Sequence, residues 1–328
     1  MPQRALSELS LTSATRRYGR RAPKNAPALK FARFFTGKTP AHPDAADYLA
    51  RLAAWQMLGN DVAGDCVAVT WANVRRLLSS ILGAECYPTQ DEVWAVYRTQ
   101  NPSFDPNGTA DTNGPGSSHD NGMDIQTLLE YLHKVGGPDG KKVLAFAKVD
   151  PTAPDEVKAA ISIFGFVWTG IVVQEANQGD FSDERPWDYH RSSPDEGGHS
   201  VITGGYGAAG TGPLGGDERF ITWAEETSFT DRYWSRKVEE CWVVIFEEHL
   251  EHPAFQAGVD LAALAADYTA LTGKPFPAVV PPAPTPVPTP PPSPTPAPDP
   301  RLAEAAALAH QLSDLMQPWA SGNNVTGA

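Results

Sequence analysis

Two residues in this sequence have the type and setting of a nucleophile and its base. The first is Cys66, which the loop Gly59-Asn60-Asp61-Val62-Ala63-Gly64-Asp65 delivers to the start of a periodic apolar segment. At the first turn of a helix, unsatisfied N–H groups and the positive dipole end favour thiolate over thiol, and the same groups can hold a developing oxyanion. The second is His199, which enters a β-branched run from the double glycine of Glu196-Gly197-Gly198-His199-Ser200-Val201-Ile202. Glycines there let another backbone or a ligand approach closely. Each residue alone has a plainer reading, as a core cysteine or a satisfied histidine. Together they supply the minimum for a thiolate–imidazolium pair, which needs proximity in space and not in sequence.

The elements that must position them follow from periodicity. Asp65 is placed to cap a helix Cys66–Leu82, in which Val67, Trp71, Val74 and Leu78 recur at helical spacing. Further helices are expected over Gln90–Tyr97, Asp124–Val135 (stopped by Gly136-Gly137-Pro138), 155–163 and 259–272. Val167–Gln174, His199–Tyr206, Phe220–Trp223 and Cys241–Phe246 are β-branched and aromatic runs bounded by glycines, and read as strands. Helices first and strands second predict an α+β architecture, with a helical half carrying Cys66 packed on an antiparallel sheet or barrel half.

Four regions divide the chain: a basic arm (1–45), a folded body (46–275), a Pro-rich linker (276–300) and a C-terminal helix and tail (301–328). The linker holds much of the total of 31 prolines and reads as an extended, stiff spacer. Ala, Leu and Glu make 301–316 a helix with one apolar face, suited to a protein partner. The net charge of −13 conceals an asymmetry: residues 1–38 hold nine Lys/Arg and only Glu8, leaving 17 basic and 38 acidic residues elsewhere. Such an arm could meet nucleic acid or an acidic partner, but the expectation is that it lies on its own acidic body or stays mobile. Three cysteines, Cys66, Cys86 and Cys241, suit neither a disulfide framework nor a zinc site. The chain offers no apolar run long enough for a membrane span and no secretory leader, so a cytoplasmic or virion-associated setting is expected over secretion.

The loop GNDVAGDC ahead of a helix, the later GGHSVITGGYG strand and the Ile221-Thr222-Trp223 strand together resemble the papain-like cysteine peptidases, over about residues 46–250. In that family the histidine follows the cysteine by 130–150 residues, and here the interval is 133. Together with Trp55-Gln56-Met57-Leu58-Gly59-Asn60-Asp61, these motifs are most similar to a divergent bacterial and bacteriophage branch. The resemblance implies a peptidase or isopeptidase in which Cys66 attacks and His199 moves the proton. Asn60, six residues earlier, would stand where the family has its oxyanion-hole glutamine. Gly64, Asp65, Gly198 and Trp223 would lie along the cleft, and the substrate would be a peptide or protein, with no metal or cofactor. The resemblance departs at Ile221, which falls where the family has an asparagine to orient the imidazole. That leaves a dyad, a substitute acceptor such as the neighbouring Thr222 or Glu225, whose direction strand alternation leaves open, or lost catalysis. It departs also at Asp65, whose charge would oppose a thiolate. No long pro-segment of the lysosomal kind is expected. The alternatives are an inactive papain-like scaffold tethered through its C-terminal helix, and a peptidoglycan hydrolase.

Weaker signals point to structure. His249 and His252 read as a solvated turn rather than a metal pair, and the loop 101–122 as a surface insertion without calcium-loop spacing. Trp187, Trp223 and Trp234 are core residues by default, with a cleft role as the alternative. The glycines of 204–216 lack a nucleotide-binding context.

Overall fold

Alternation along the strands explains the two-sided core of the computed structural model, which describes residues 16–24, 26, 28–34, 39–81, 85–108, 119–207 and 217–251, together with Ala262, Ala265, Ala266 and Thr269. On β5 (Asp195–Tyr206), Val201 faces one apolar cluster and Ile202 the other; on β6 (Glu218–Thr222), Phe220 and Ile221 divide in the same way. Both faces of the sheet are therefore covered. Helices α1 (Cys66–Ile81), α2 (Gln90–Arg98) and α3 (Ile125–Lys134) fill one side with Trp71, Val93 and Leu128. The other side takes Val157 and Phe164 from α4 (Pro154–Phe164), Phe181 from α5 (Glu175–Ser182), and Tyr233 and Trp234 from α6 (Asp231–Lys237).

The expected α+β class, with the Cys66 helix packed on a largely antiparallel sheet, is what the structure shows. The sheet runs β1 (Leu29–Lys30), β3 (Val143–Val149), β8 (Val238–Phe246), β4 (Val167–Gln174), β5, β6 and β7 (Glu225–Phe229), with β2 (Ala46–Asp47) also on β5. Among the described strand pairs only β1–β3 is parallel. Helix starts follow local chemistry. Thr89 and Glu92 form a reciprocal capping box on α2, and Asp124 accepts the Thr127 N–H at 2.7 Å on α3. Pro154 opens α4, and Gly165 closes it at φ +82°.

Several expectations need correcting. Strands β1, β2, β3 and β7 and helices α5 and α6 were not anticipated. Short length and a Gly-Asp pair mask α5, while α6 is a seven-residue helix resting on the Thr230 cap. His249 is not solvated: it is 2% exposed, in a 3-10 turn (Glu247–Glu251), and its Nδ1 accepts the Phe246 N–H at 3.0 Å. The chain divides into compact units 1–281 and 282–328. The described part of the arm belongs to the first unit: β1 joins the sheet, and Phe31 and Phe34 are core residues. Of the expected 259–272 helix, Ala262, Ala265, Ala266 and Thr269 are described, and they are helical. Leu82, His252, the Pro-rich linker and the 301–316 helix lie outside the described residues.

Candidate active site

The loop that carries Cys66 is held from three directions. Asp120 accepts the Gly64 N–H with both oxygens, at 3.1 and 2.9 Å, and its Oδ1 also receives the Tyr97 hydroxyl. Asn60 Nδ2 donates to Ala63 O at 3.1 Å and to Asp65 Oδ1 at 3.2 Å. These contacts place Cys66 at the first residue of α1, where the dipole argument needs it. They also commit the Asn60 amide to its own loop, so a role on an oxyanion requires that it let go of those partners.

His199 comes from the middle of the sheet. Its Nε2 lies 2.8 Å from Thr222 Oγ1, and Nδ1, fully shielded, has no hydrogen-bond partner among the described residues. Trp223 stacks on the ring at 5.0 Å between centroids and 27° between planes. Thr222, and not Ile221, is thus the orienting neighbour. Ile221 pairs with Ile202 and points into the core, and the period-two alternation of β6 sends the next side chain to the histidine. Trp223 and Ala224 close the β6–β7 hairpin with φ of +44° and +66°, the left-handed pair that a tight hairpin turn needs. Cys66, His199, Asn60, Thr222 and Trp223 all line one small cavity of about 10 Å³.

Charge is suppressed throughout this cavity. Burial pushes the Cys66 thiol up to about 12, against the pull of the Ser200 amide; Asp65 adds to the rise, and the Gly19 amide and the Arg20 charge oppose it. His199 is pushed down to about 3 by burial, with the Arg20 charge adding to the effect. Asp65 is held well above the carboxylate range, again mainly by burial. As it stands, the pair is a thiol and a neutral imidazole.

Part of the cover over the pair comes from the chain's own basic arm, through the Tyr18 ring on His199 and the Gly19 amide on Cys66. Residues 16–21 run as a strap through the groove between the Gly122 turn and Gly198. Gly19 and Arg20 donate to Gly198 O at 3.2 and 2.9 Å, Met123 N donates to Gly19 O at 2.6 Å, and Arg21 N donates to Met123 O at 2.7 Å. Tyr18 sets its ring edge against His199 and Trp223, and its hydroxyl donates to Glu196 at 2.6 Å. Fit depends on missing side chains. A Cβ on Gly19 would collide with the Gly64 carbonyl, one on Gly122 with the Gly19 carbonyl, and one on Gly198 with the Arg20 carbonyl. In front of the strap lies a cleft of about 540 Å³. The described residues of the arm lie on the body, one of the two courses expected for it, but no segment across the site was foreseen. The signals were there in Tyr18-Gly19-Arg20, a small residue between an aromatic and a cation, but nothing local tells a chain which groove it will fill.

No family model matches this chain. No curated protein matches it. Among solved structures it is similar to xylellain, a cysteine protease from Xylella fastidiosa, at 16% identity and a TM-score of 0.49, over 70% of this chain and 96% of that one. It is also similar to procathepsin B S9 from Trypanosoma congolense, at 12% identity and a TM-score of 0.47, over 73% of this chain and 89% of that one. These neighbours come from a bacterium and a trypanosome, and nothing in them ties the chain to bacteriophages. Likeness at this level bears on neither substrate nor reaction.

Proposed function

We propose that this protein is a papain-like cysteine peptidase held in a closed form by residues 16–21. The observation that carries this reading is the cavity itself: a helix-opening cysteine and a strand histidine line one small space, and the imidazole is already oriented from its far side. With Nε2–H donating to Thr222, Nδ1 is left as the acceptor that can take the Cys66 proton. Once the strap moves out and water reaches the pair, the burial that suppresses charge is relieved. The sulfur then attacks the carbonyl carbon of a peptide, its proton passes through His199 to the departing amine, and water resolves the thioester. The Cys66 N–H at the helix start supports the oxyanion, and Asn60 would join it after exchanging its loop partners.

The test uses the full chain with Gly19→Ala, whose added methyl cannot coexist with the Gly64 carbonyl, in a Cys86→Ser background that removes the exposed thiol. This protein should cleave an unfolded protein substrate and lose that activity with Cys66→Ala. If the opened chain alkylates at Cys66 yet cleaves nothing, the second reading takes over. That reading is a papain-like scaffold without turnover, and the committed Asn60 amide favours it.

A further inference from the structure

Asp217, Glu218 and Asp231 bring one carboxylate oxygen each to within 4.8 Å of one another, at the open end of the β6–β7 hairpin. Among the described residues this is the only group of three or more His, Cys, Asp or Glu whose ligand atoms lie so close. Register explains the convergence. Glu218 pairs with Phe229 across the hairpin, and Asp231 follows Phe229 by two as the first residue of α6. Asp217 is fixed twice: its N–H donates to Phe229 O at 3.1 Å, and its Oδ1 accepts the Gly207 N–H at 2.8 Å. Clustered acids are common on protein surfaces, but Glu218 is not a surface acid. It is 7% exposed, and its Oε2, shielded from solvent, has no hydrogen-bond partner among the described residues. A buried oxygen of that kind costs free energy unless a donor or a cation meets it. The cation that faces the group is Lys158, whose Nζ lies 3.5 Å from Asp217 Oδ2 and also over the Tyr206 ring at 5.6 Å. One ammonium does not balance three carboxylates. Arg232, next to Asp231 in the chain, is committed to Asp188.

We propose that Asp217, Glu218 and Asp231 form a calcium site, in which the ion takes the place of the Lys158 ammonium. An ion bonded at about 2.4 Å spans up to twice that distance between two of its ligands, so three oxygens at these separations can share one Ca²⁺. All three donors are hard oxygens, a set that suits calcium rather than zinc or copper. Asp231 is exposed, so the ion can enter from solvent on that side and complete its shell with water. Magnesium fits worse, because it demands near-ideal octahedral geometry at about 2.1 Å and dehydrates reluctantly. Lys158, once displaced from Asp217, keeps the face of Tyr206. The bound ion ties β6 directly to α6. Thr222 stands at the other end of β6, so the clamp acts on the hairpin that presents this hydroxyl to His199. Calcium binding here is independent of whether the protein is a peptidase.

The experiment adds CaCl₂ to the full chain after EDTA treatment and dialysis, and reads the melting temperature and the heat of binding. The parent should bind calcium with a Kd on the order of 10⁻⁴ M. A millimolar excess should then raise its melting temperature by about 5 °C, because the ion binds the folded chain alone. MgCl₂ at the same concentration should give less than half that rise. Glu218→Gln should weaken calcium binding roughly tenfold or more and cancel most of the shift. Each variant is compared with itself with and without calcium, so its own stability does not enter. Asp231→Asn, at an exposed position, should show the same loss and keeps the test decisive if Glu218→Gln fails to fold. Lys158→Met removes the competing cation and should tighten binding about threefold or more. No calcium shift in the parent, the same shift in the Gln and Asn variants, an equal response to magnesium, or unchanged affinity in Lys158→Met overturns the proposal.

Discussion

At the scale of single residues, the decisive side chain is one that sequence spacing placed one position away. Aligning Ile221-Thr222-Trp223 on the resemblance set an aliphatic group beside the histidine, whereas strand alternation sets Thr222 there. Thr222→Val keeps the shape and removes the acceptor. In the opened chain it should lower kcat on the order of 100-fold with KM little changed, because a misaimed base costs alignment rather than affinity; Thr222→Ser should restore most of the rate. Equal kcat values for the Val and Ser variants would remove Thr222 from the mechanism. Cys66 stands at a helix start as its glycine loop predicts, whereas Gly197 and Gly198, read as a turn ahead of a strand, are themselves strand residues of β5 paired with Val173 and Val172, so His199 lies inside the strand and not at its start. The partner of His199 was legible only as a choice between Thr222 and Glu225, since a side chain's reach is decided once the direction of its strand is known.

Individual elements show why the site holds its shape. The β6–β7 hairpin presents Thr222 and Trp223 through a turn in which Ala224 sits at φ +66°, where a side chain is disfavoured. Ala224→Gly should therefore stabilise the fold by about 1 kcal/mol, read as a higher urea midpoint at unchanged slope. At the open end of the same hairpin, Glu218 is pushed up to about 8 from an ordinary 4.5, by burial first and the Asp217 charge second. The folded chain then keeps a proton that the unfolded chain has lost, so stability falls as pH rises from about 4.5 to 8. Glu218→Gln should remove this slope, gaining on the order of 4 kcal/mol at the alkaline end relative to the parent. Urea titrations at pH 5 and pH 8.5 that show the same change for both proteins would exclude it. Strands such as Val167–Gln174 could be read to the residue because they are continuous apolar runs. Missed elements such as α5 and α6 are short and are set by capping and packing, which periodicity does not report.

For the molecule as a whole, the arrangement predicts a thiol census. In the folded chain only Cys86 is exposed, while Cys66 and Cys241 are sealed. Intact-mass measurement after brief treatment with a maleimide should find one adduct in the native protein and three after denaturation; a native adduct at Cys66 would mean that the strap does not close the groove. The α+β division was readable because α1, α2 and α3 precede the long strands, although α4, α5 and α6 alternate with those strands, and the basic character of the arm was readable too. Its path was not, because contacts such as Arg20 to Glu240 link residues 220 positions apart and are chosen by the finished fold.

An obstruction carried on the same polypeptide is present at a fixed local concentration however dilute the sample becomes. Latency should therefore be independent of protein concentration, and a free peptide of the same composition must outcompete a neighbour that never diffuses away. A single nick between the strap and β1 would turn this first-order closure into an ordinary bimolecular equilibrium. From that moment, dilution alone would switch the groove on.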